Sequence, residues 1–201
     1  MKLYFTRHGE SEANIRMIIS NRDLPHPLTE RGRLQAAALA EELRGRPINR
    51  IYASPIPRAK ETAQILSDAL KVPLELADAL REPDCGILEG RSDQAAWAEH
   101  DSWKQNWVLG HDLDRRLEGG ESYNDVRKRF VSFVGKLVRQ YGKSEAEFLL
   151  VTHGAAMLIG LPAILSNADQ QSIVEAGLGH TSLFTAEVQD GKLVWLRNMP
   201  S

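Results

Sequence analysis

Three short apolar segments in this 201-residue chain each stop at residues able to hold or attack a phosphate. Leu3-Tyr4-Phe5-Thr6 runs into Arg7-His8-Gly9-Glu10, Ile51-Tyr52-Ala53 into Ser54 and Arg58, and Leu149-Leu150-Val151-Thr152 into His153-Gly154. A guanidinium group makes two charge-assisted bonds to one phosphate and stays charged at any useful pH, which makes Arg7 and Arg58 candidate clamps. A neutral imidazole can attack phosphorus, so His8 is a candidate nucleophile. Gly9 allows the backbone to approach a neighbour closely, and His153, as a cation or a hydrogen-bond donor, can stabilise a transferring group. Phosphoryl transfer also needs a proton for the leaving alkoxide, which these three strand ends do not supply.

The elements that would carry these residues alternate. The three apolar segments are short and β-prone, and each stops abruptly at polar residues. Thr29 can cap a helix with Leu28, Ala36, Leu39, Ala40 and Leu43 on its apolar side, ended by Gly45 and Pro47. Pro57 suits the first turn of a helix running from about Arg58 to Leu70, and Leu74 to Leu76 reads as a third short strand. From Ser122 to Tyr141, Val126, Phe130, Phe133, Val134, Leu137 and Val138 recur at helical spacing and leave Arg127, Lys128, Arg129 and Lys136 largely outward. A buried helix follows Gly154, and Asp190-Gly191 joins a terminal hairpin. The segment from Glu82 to Gly120 reads as a loop followed by a covering helix bearing Trp97, Trp103 and Trp107. This alternation predicts an α/β fold, a three-layer α/β/α sandwich around a mainly parallel sheet with ligands at the carboxyl ends of its strands.

Composition sets limits on the partners. Hydrophobic residues at 42% and charged residues at 26% are ordinary for a globular chain, and a net charge of −2 gives no general attraction to nucleic acid. The single cysteine, Cys85, has no partner for a disulfide, and His26, His100 and His111 lack metal-ligand spacing, so neither a metal nor a cofactor is expected. The charged Arg7-His8-Gly9-Glu10 arrives too early for a signal peptide, and the apolar stretch near Ala155 to Leu165 is too short to span a bilayer. A cytoplasmic chain without membrane or nucleic-acid partners, forming one domain over residues 1–201, is the expectation.

Taken together the motifs resemble the histidine phosphatase superfamily, also called phosphoglycerate mutase-like. Arg7-His8-Gly9-Glu10, continued by Ser11 and Asn14, is similar to its signature; Ser54-Pro55, Arg58-Ala59 and Thr62-Ala63 to its second block; Glu82, Gly86 and Glu89-Gly90 to its third; His153-Gly154 to its fourth. The resemblance implies a phosphoglycerate mutase-like fold, phosphorylation of His8 during turnover, Arg7, Arg58 and His153 on the phosphate, and Glu82 as proton donor. Ser11 and Asn14 become further candidate phosphate contacts. Leu88 stands where many members carry an aromatic residue, a departure that bears on the pocket wall.

What the resemblance implies is a phosphoric monoester hydrolase, similar to histidine acid phosphatases, that cleaves a small phosphorylated metabolite through a phosphohistidine intermediate. Two alternatives stand beside it: a phosphoglycerate mutase, whose members commonly carry longer insertions near the glutamate, and a noncatalytic phosphate-binding regulator. His180 can face the pocket or serve only a local role, and the three tryptophans read as packing residues.

Overall fold

The structure, a computed structural model, describes residues 1–108 and 110–197. Strands β1 (Lys2–Arg7), β2 (Ile48–Ala53), β3 (Leu74–Leu76), β4 (Glu147–Thr152), β5 (Leu183–Gln189) and β6 (Lys192–Trp195) form one sheet in the order β3-β2-β4-β1-β5-β6. The first four in that order are mutually parallel; β5 runs antiparallel to both β1 and β6. The sheet is therefore mainly parallel with an antiparallel hairpin at one edge, and the hairpin turns at Asp190 and Gly191, both at positive φ.

Side-chain alternation explains the three layers. Leu3, Phe5 and Leu150 point into one apolar cluster with Phe130 and Met157, from helices α5 (Tyr123–Tyr141) and α6 (Gly154–Ile164). Tyr4, Leu149 and Val151 point the other way, against Leu39, Ala40, Ala59 and Leu66 of α2 (Glu30–Glu42) and α3 (Pro57–Leu70). A strand buried on both faces carries a continuous apolar run, and all six residues of β4 are buried.

Local chemistry accounts for the helix starts. The Thr29 hydroxyl accepts from Gly32 N–H at 3.0 Å to begin α2, Pro57 occupies the first turn of α3, and Ser122 and Asp125 form a reciprocal capping box on α5. Three helices complete the chain: the four-residue α1 (Glu12–Ile15), α4 (Gln94–Val108) and α7 (Gln170–Ala176). The covering helix expected in the 82–120 segment is α4; α7 carries no long apolar repeat and was not expected. Arg129, expected to point outward from α5, is part-buried and donates to the carbonyls of Ala79 and Arg81 at 2.9 and 2.8 Å while pairing with Glu121. Among the described residues no helix is long and apolar enough to cross a membrane.

Register positions the site. Arg7 lies opposite Thr152 and Ala53 opposite Val151, so the three parallel strands finish at nearly the same level. The next residues out are His8, Ser54 and His153.

Candidate active site

His8 is almost fully buried, and its two ring nitrogens have different partners. Nδ1 lies 2.7 Å from the Gly9 carbonyl oxygen, which can only accept, so Nδ1 carries the proton. Nε2 is then an unprotonated lone pair, and it receives the Arg58 Nε–H at 2.9 Å. Burial first, then the charges of Arg58 and Arg7, hold the imidazole well below its usual titration range. His8 is thus neutral at pH 7 with its bare nitrogen turned toward Arg58.

Arg58 reaches this position from the first turn of α3 and is itself buried. Its remaining nitrogens donate to the Ser20 carbonyl and to Asn21 Oδ1, the latter at 3.3 Å. Burial lowers its pKa to about 10, so it stays a cation at neutral pH. Glu89 supports this arrangement by accepting from Asn21 N and Cys85 N at 2.7 and 2.9 Å, which ties the loop after α1 to the loop before α4.

His153 packs edge-on against His8 with ring centroids 5.0 Å apart. The Ser54 hydroxyl accepts from Ile56 N–H at 3.3 Å and lies 2.8 Å from His153 Nε2. The other ring nitrogen, Nδ1, is buried and has no hydrogen-bond partner among the described residues. Burial and the Arg58 charge keep His153 well below its usual titration range. Of the two roles open to it in the sequence, cation or donor, this disfavours the cation and leaves the neutral hydrogen-bonding one.

Arg7 donates to the Leu178 carbonyl at 2.7 Å, while its buried Nε has no acceptor among the described residues. Burial pulls its pKa down, a cost that a bound anion would offset. Glu82 enters from the other side. Its carboxylate oxygens accept Ala155 N–H and Ala156 N–H at 3.0 Å each, at the N-terminus of α6, where a negative group is favoured. Arg129 holds the Glu82 carbonyl and those of Ala79 and Arg81, fixing the loop that carries it.

Arg7, His8, Asn14, Arg58 and Glu82 line one cavity of about 310 Å³. Asn14 Oδ1 receives Ser11 N–H and Ser11 Oγ–H at 3.0 and 2.9 Å and faces His180 Nε2 at 3.2 Å, which leaves its Nδ2 donor for the cavity. Ser11 is fully buried, caps α1 and is not among the cavity-lining residues. Gly9 makes its close approach to Gly32 of α2: a Cβ built there would collide with the Gly32 carbonyl oxygen. Leu88 does not line the cavity itself; it is buried in the same core cluster as the lining residues Cys85 and Trp103.

The sequence model of the histidine phosphatase superfamily (branch 1) matches residues 3–198. The chain belongs to this superfamily. Among curated relatives, "Probable phosphoglycerate mutase GpmB" of Enterobacter sp. (strain 638) is 33% identical over 169 residues, covering 81% of this chain and 77% of the relative. Among solved structures, YhfR of Bacillus stearothermophilus superposes with a TM-score of 0.81 at 27% identity, over 100% of this chain and 98% of that one. A mycobacterial glucosyl-3-phosphoglycerate phosphatase in complex with VO3 gives 0.79 at 25%, with the same coverage.

In this member of the histidine phosphatase superfamily the sequence motifs all meet in space, but several supporting residues carry no motif of their own. Asn21 and Ser20 hold Arg58, and His180 stands 5.8 Å from His8, ring to ring, while Thr62 of the second motif accepts Gly9 N–H at 3.1 Å. Burial and the Arg7 charge lower His180 to about 4. His100, Trp97, Trp103 and Trp107 also line the cavity, beyond the packing and surface roles expected of them. Among the described residues no cluster of His, Cys, Asp or Glu could hold a metal ion.

Proposed function

We propose that this chain is a phosphomonoesterase acting on a small phosphorylated metabolite through a phosphohistidine at His8. One observation carries the reading: the unprotonated Nε2 of His8 receives the Nε–H of a buried Arg58, and in the same cavity the buried Nε–H of Arg7 has no acceptor among the described residues. A donor held dry and unpaired in the cavity of a bare nucleophile suits a phosphoryl group, whose oxygens would take it up.

In the first half-reaction a phosphoryl oxygen displaces His8 Nε2 as the acceptor of the Arg58 Nε–H, freeing the lone pair to form the N–P bond as the P–O bond to the alcohol breaks. The phosphate's negative charge brought in beside Glu82 favours uptake of a proton on its carboxylate, and Glu82 gives that proton to the leaving alkoxide. In the second half, Glu82 takes a proton from water, the oxygen attacks phosphorus, and the N–P bond breaks to return neutral His8 and free phosphate. Arg7, Arg58, Asn14 and His153 hold the phosphoryl oxygens throughout, supplying the charge stabilisation on which such reactions depend.

The mutase alternative draws support from the names of the curated relatives. It requires the phosphoryl group on His8 to pass to a second, strongly anionic phosphoglycerate. Besides Arg7 and Arg58 the cavity is lined among the described residues by a single further Lys or Arg side chain, Lys104, enough for one carboxylate but not for a second phosphate as well, which favours water as acceptor.

Rapid quenching into alkali during turnover of an aryl phosphate is the test. Phosphate retained on a peptide containing His8, stable in base and labile in acid, is the expected result, and His8→Ala should abolish it. An adduct on Ser11, or full turnover by His8→Ala, overturns the reading; preferential transfer to added phosphoglycerate replaces it with the mutase.

A further inference from the structure

We infer that the part of the cavity walled by α4 is a compartment which binds an apolar alcohol carrying a carboxylate at the end remote from the phosphate. The inference rests on the phosphatase reading only for which bond is cleaved; the compartment itself is a feature of α4 and its surroundings.

Trp97, His100, Trp103, Lys104 and Trp107 recur at spacings of three and four, so one face of α4 presents them together. All five line the cavity that contains His8 and Arg58. Their rings form a continuous edge-to-face ladder, with centroids 5.0 Å apart for Trp97 and His100, 6.1 Å for His100 and Trp103, and 4.2 Å for Trp103 and Trp107. Two indole N–H groups anchor the ladder: Trp97 donates to the Met17 carbonyl at 2.7 Å and Trp103 to the Arg115 carbonyl at 3.2 Å. Such a wall is anchored and aromatic, with successive rings steeply inclined to one another, which suits an apolar organic group.

The polar groups on this wall ask for an acceptor. Trp107 is 4% exposed, yet its indole N–H has no acceptor among the described residues, an arrangement that costs stability unless a ligand supplies one. Lys104, partly buried, makes no ion pair among the described residues. His100 is already engaged with Asp101 at 3.1 Å. An unpaired cation and an orphaned donor, three positions apart on α4 and both on residues that line the cavity, match a carboxylate better than a hydroxyl or a second hydrocarbon group. The cavity volume of about 310 Å³ restricts the whole substrate to a small molecule.

The probes are 3-(4-phosphonooxyphenyl)propanoate and its primary amide, which differ only in the remote charge. Binding is read in His8→Ala protein by quenching of indole emission, so that no turnover is needed. The acid should bind roughly tenfold more tightly than the amide, the size expected of one charge-assisted contact. Lys104→Met should bring that ratio close to one, Lys104→Arg should keep most of it, and added salt should reduce it. Trp107→Phe, checked for native circular dichroism, should weaken acid binding by roughly three- to tenfold. Equal affinity for acid and amide, or a ratio that survives Lys104→Met, overturns the inference. Release of phosphate from both probes by the unmodified protein is measured separately. Turnover of both without preference sinks the compartment and leaves the phosphatase reading standing; selective binding without any turnover does the reverse.

Discussion

The Arg58 Nε–H points at the bare Nε2 of His8 from 2.9 Å, so a cation guards the lone pair of the candidate nucleophile. The contact has two consequences that oppose each other. It stabilises the neutral tautomer with hydrogen on Nδ1, and it occupies the nitrogen that must attack. A phosphate resolves the conflict because its oxygens compete for the same N–H.

Arg58→Met should therefore lower kcat by roughly 100- to 1000-fold, the usual cost of removing a donor to the transferring group. Arg58→Lys should recover little, since a point ammonium cannot reach His8, the Ser20 carbonyl and Asn21 together. Burial is the largest cause of the low His8 titration and Arg58 the next. The acid limb of kcat/KM in Arg58→Met should thus move to higher pH without reaching the ordinary imidazole value. A limb that stays in place would mean that it does not report His8.

Glu82 lies with both carboxylate oxygens on the first N–H groups of α6, held there through its carbonyl by Arg129. Glu82→Gln removes the transferable proton, and its amide can accept through only one of its two polar atoms. Hydrolysis of alkyl phosphates should fall at least tenfold more than that of nitrophenyl phosphate, whose leaving group needs little protonation. Steady-state rates on the two esters measure this. Equal losses would reduce Glu82 to an anchor for α6.

The parts of this site legible in the sequence are those where one residue does the chemistry at the end of a strand. His8, Arg58 and His153 each follow an apolar run, and a buried parallel strand announces its own end. The long amphipathic α5 was equally plain from its spacing, expected from Ser122 to Tyr141 and found from Tyr123 to Tyr141 with Ser122 as its cap. Arg129 was read as an outward cation because helical spacing reports which side of a helix is apolar, whereas its partners are carbonyls from a loop 48 and 50 positions away. The tryptophans of α4 pack as expected, with Trp103 and Trp107 in a core cluster and Trp97 against it, but periodicity is silent on the cavity that the same side chains also line. Ser11 drew attention through its place beside the Arg-His-Gly-Glu sequence, and its structural setting is that of a helix cap.

Stability should fall as the solution is acidified, and the direction follows from three histidines. His8, His153 and His180 all titrate below the unfolded value of about 6.5. Above that value both states are neutral at these sites and no dependence arises. Below it the unfolded chain binds protons that the folded protein refuses, so unfolding is favoured progressively as pH drops. For His180 the window runs from about 6.5 to about 4. Its ring faces His8 and Asn14, and the charges that act on it are Arg7, Glu10, Arg31 and Arg58. Calorimetry between pH 7.5 and 5 should give a declining Tm, with a shallower decline in His180→Asn. A flat parent profile would contradict the three shifts, and an unchanged slope in the variant would remove His180 from their number.

Gly9 joins the site to the packing of the whole first layer. Its N–H is received by Thr62 of α3, its carbonyl takes the His8 Nδ1 proton, and its α-carbon faces the backbone of Gly32 in α2. Gly32 meets the Glu10 carbonyl just as closely, so the two glycines form one backbone-to-backbone contact from opposite sides. An added Cβ at residue 9 meets a carbonyl oxygen, which cannot swing aside as a side-chain tip would; either α2 withdraws or the Gly9 peptide rotates. Gly9→Ala should then cost about 1–3 kcal/mol through overpacking. For a chain of this length that is a fall in Tm of roughly 2–12 °C. If the peptide rotates, His8 loses the acceptor that fixes its tautomer, and kcat should drop more than tenfold while the protein remains folded. Loss of stability with full kcat would show that α2 yields and that the Gly9 carbonyl keeps its hold on His8.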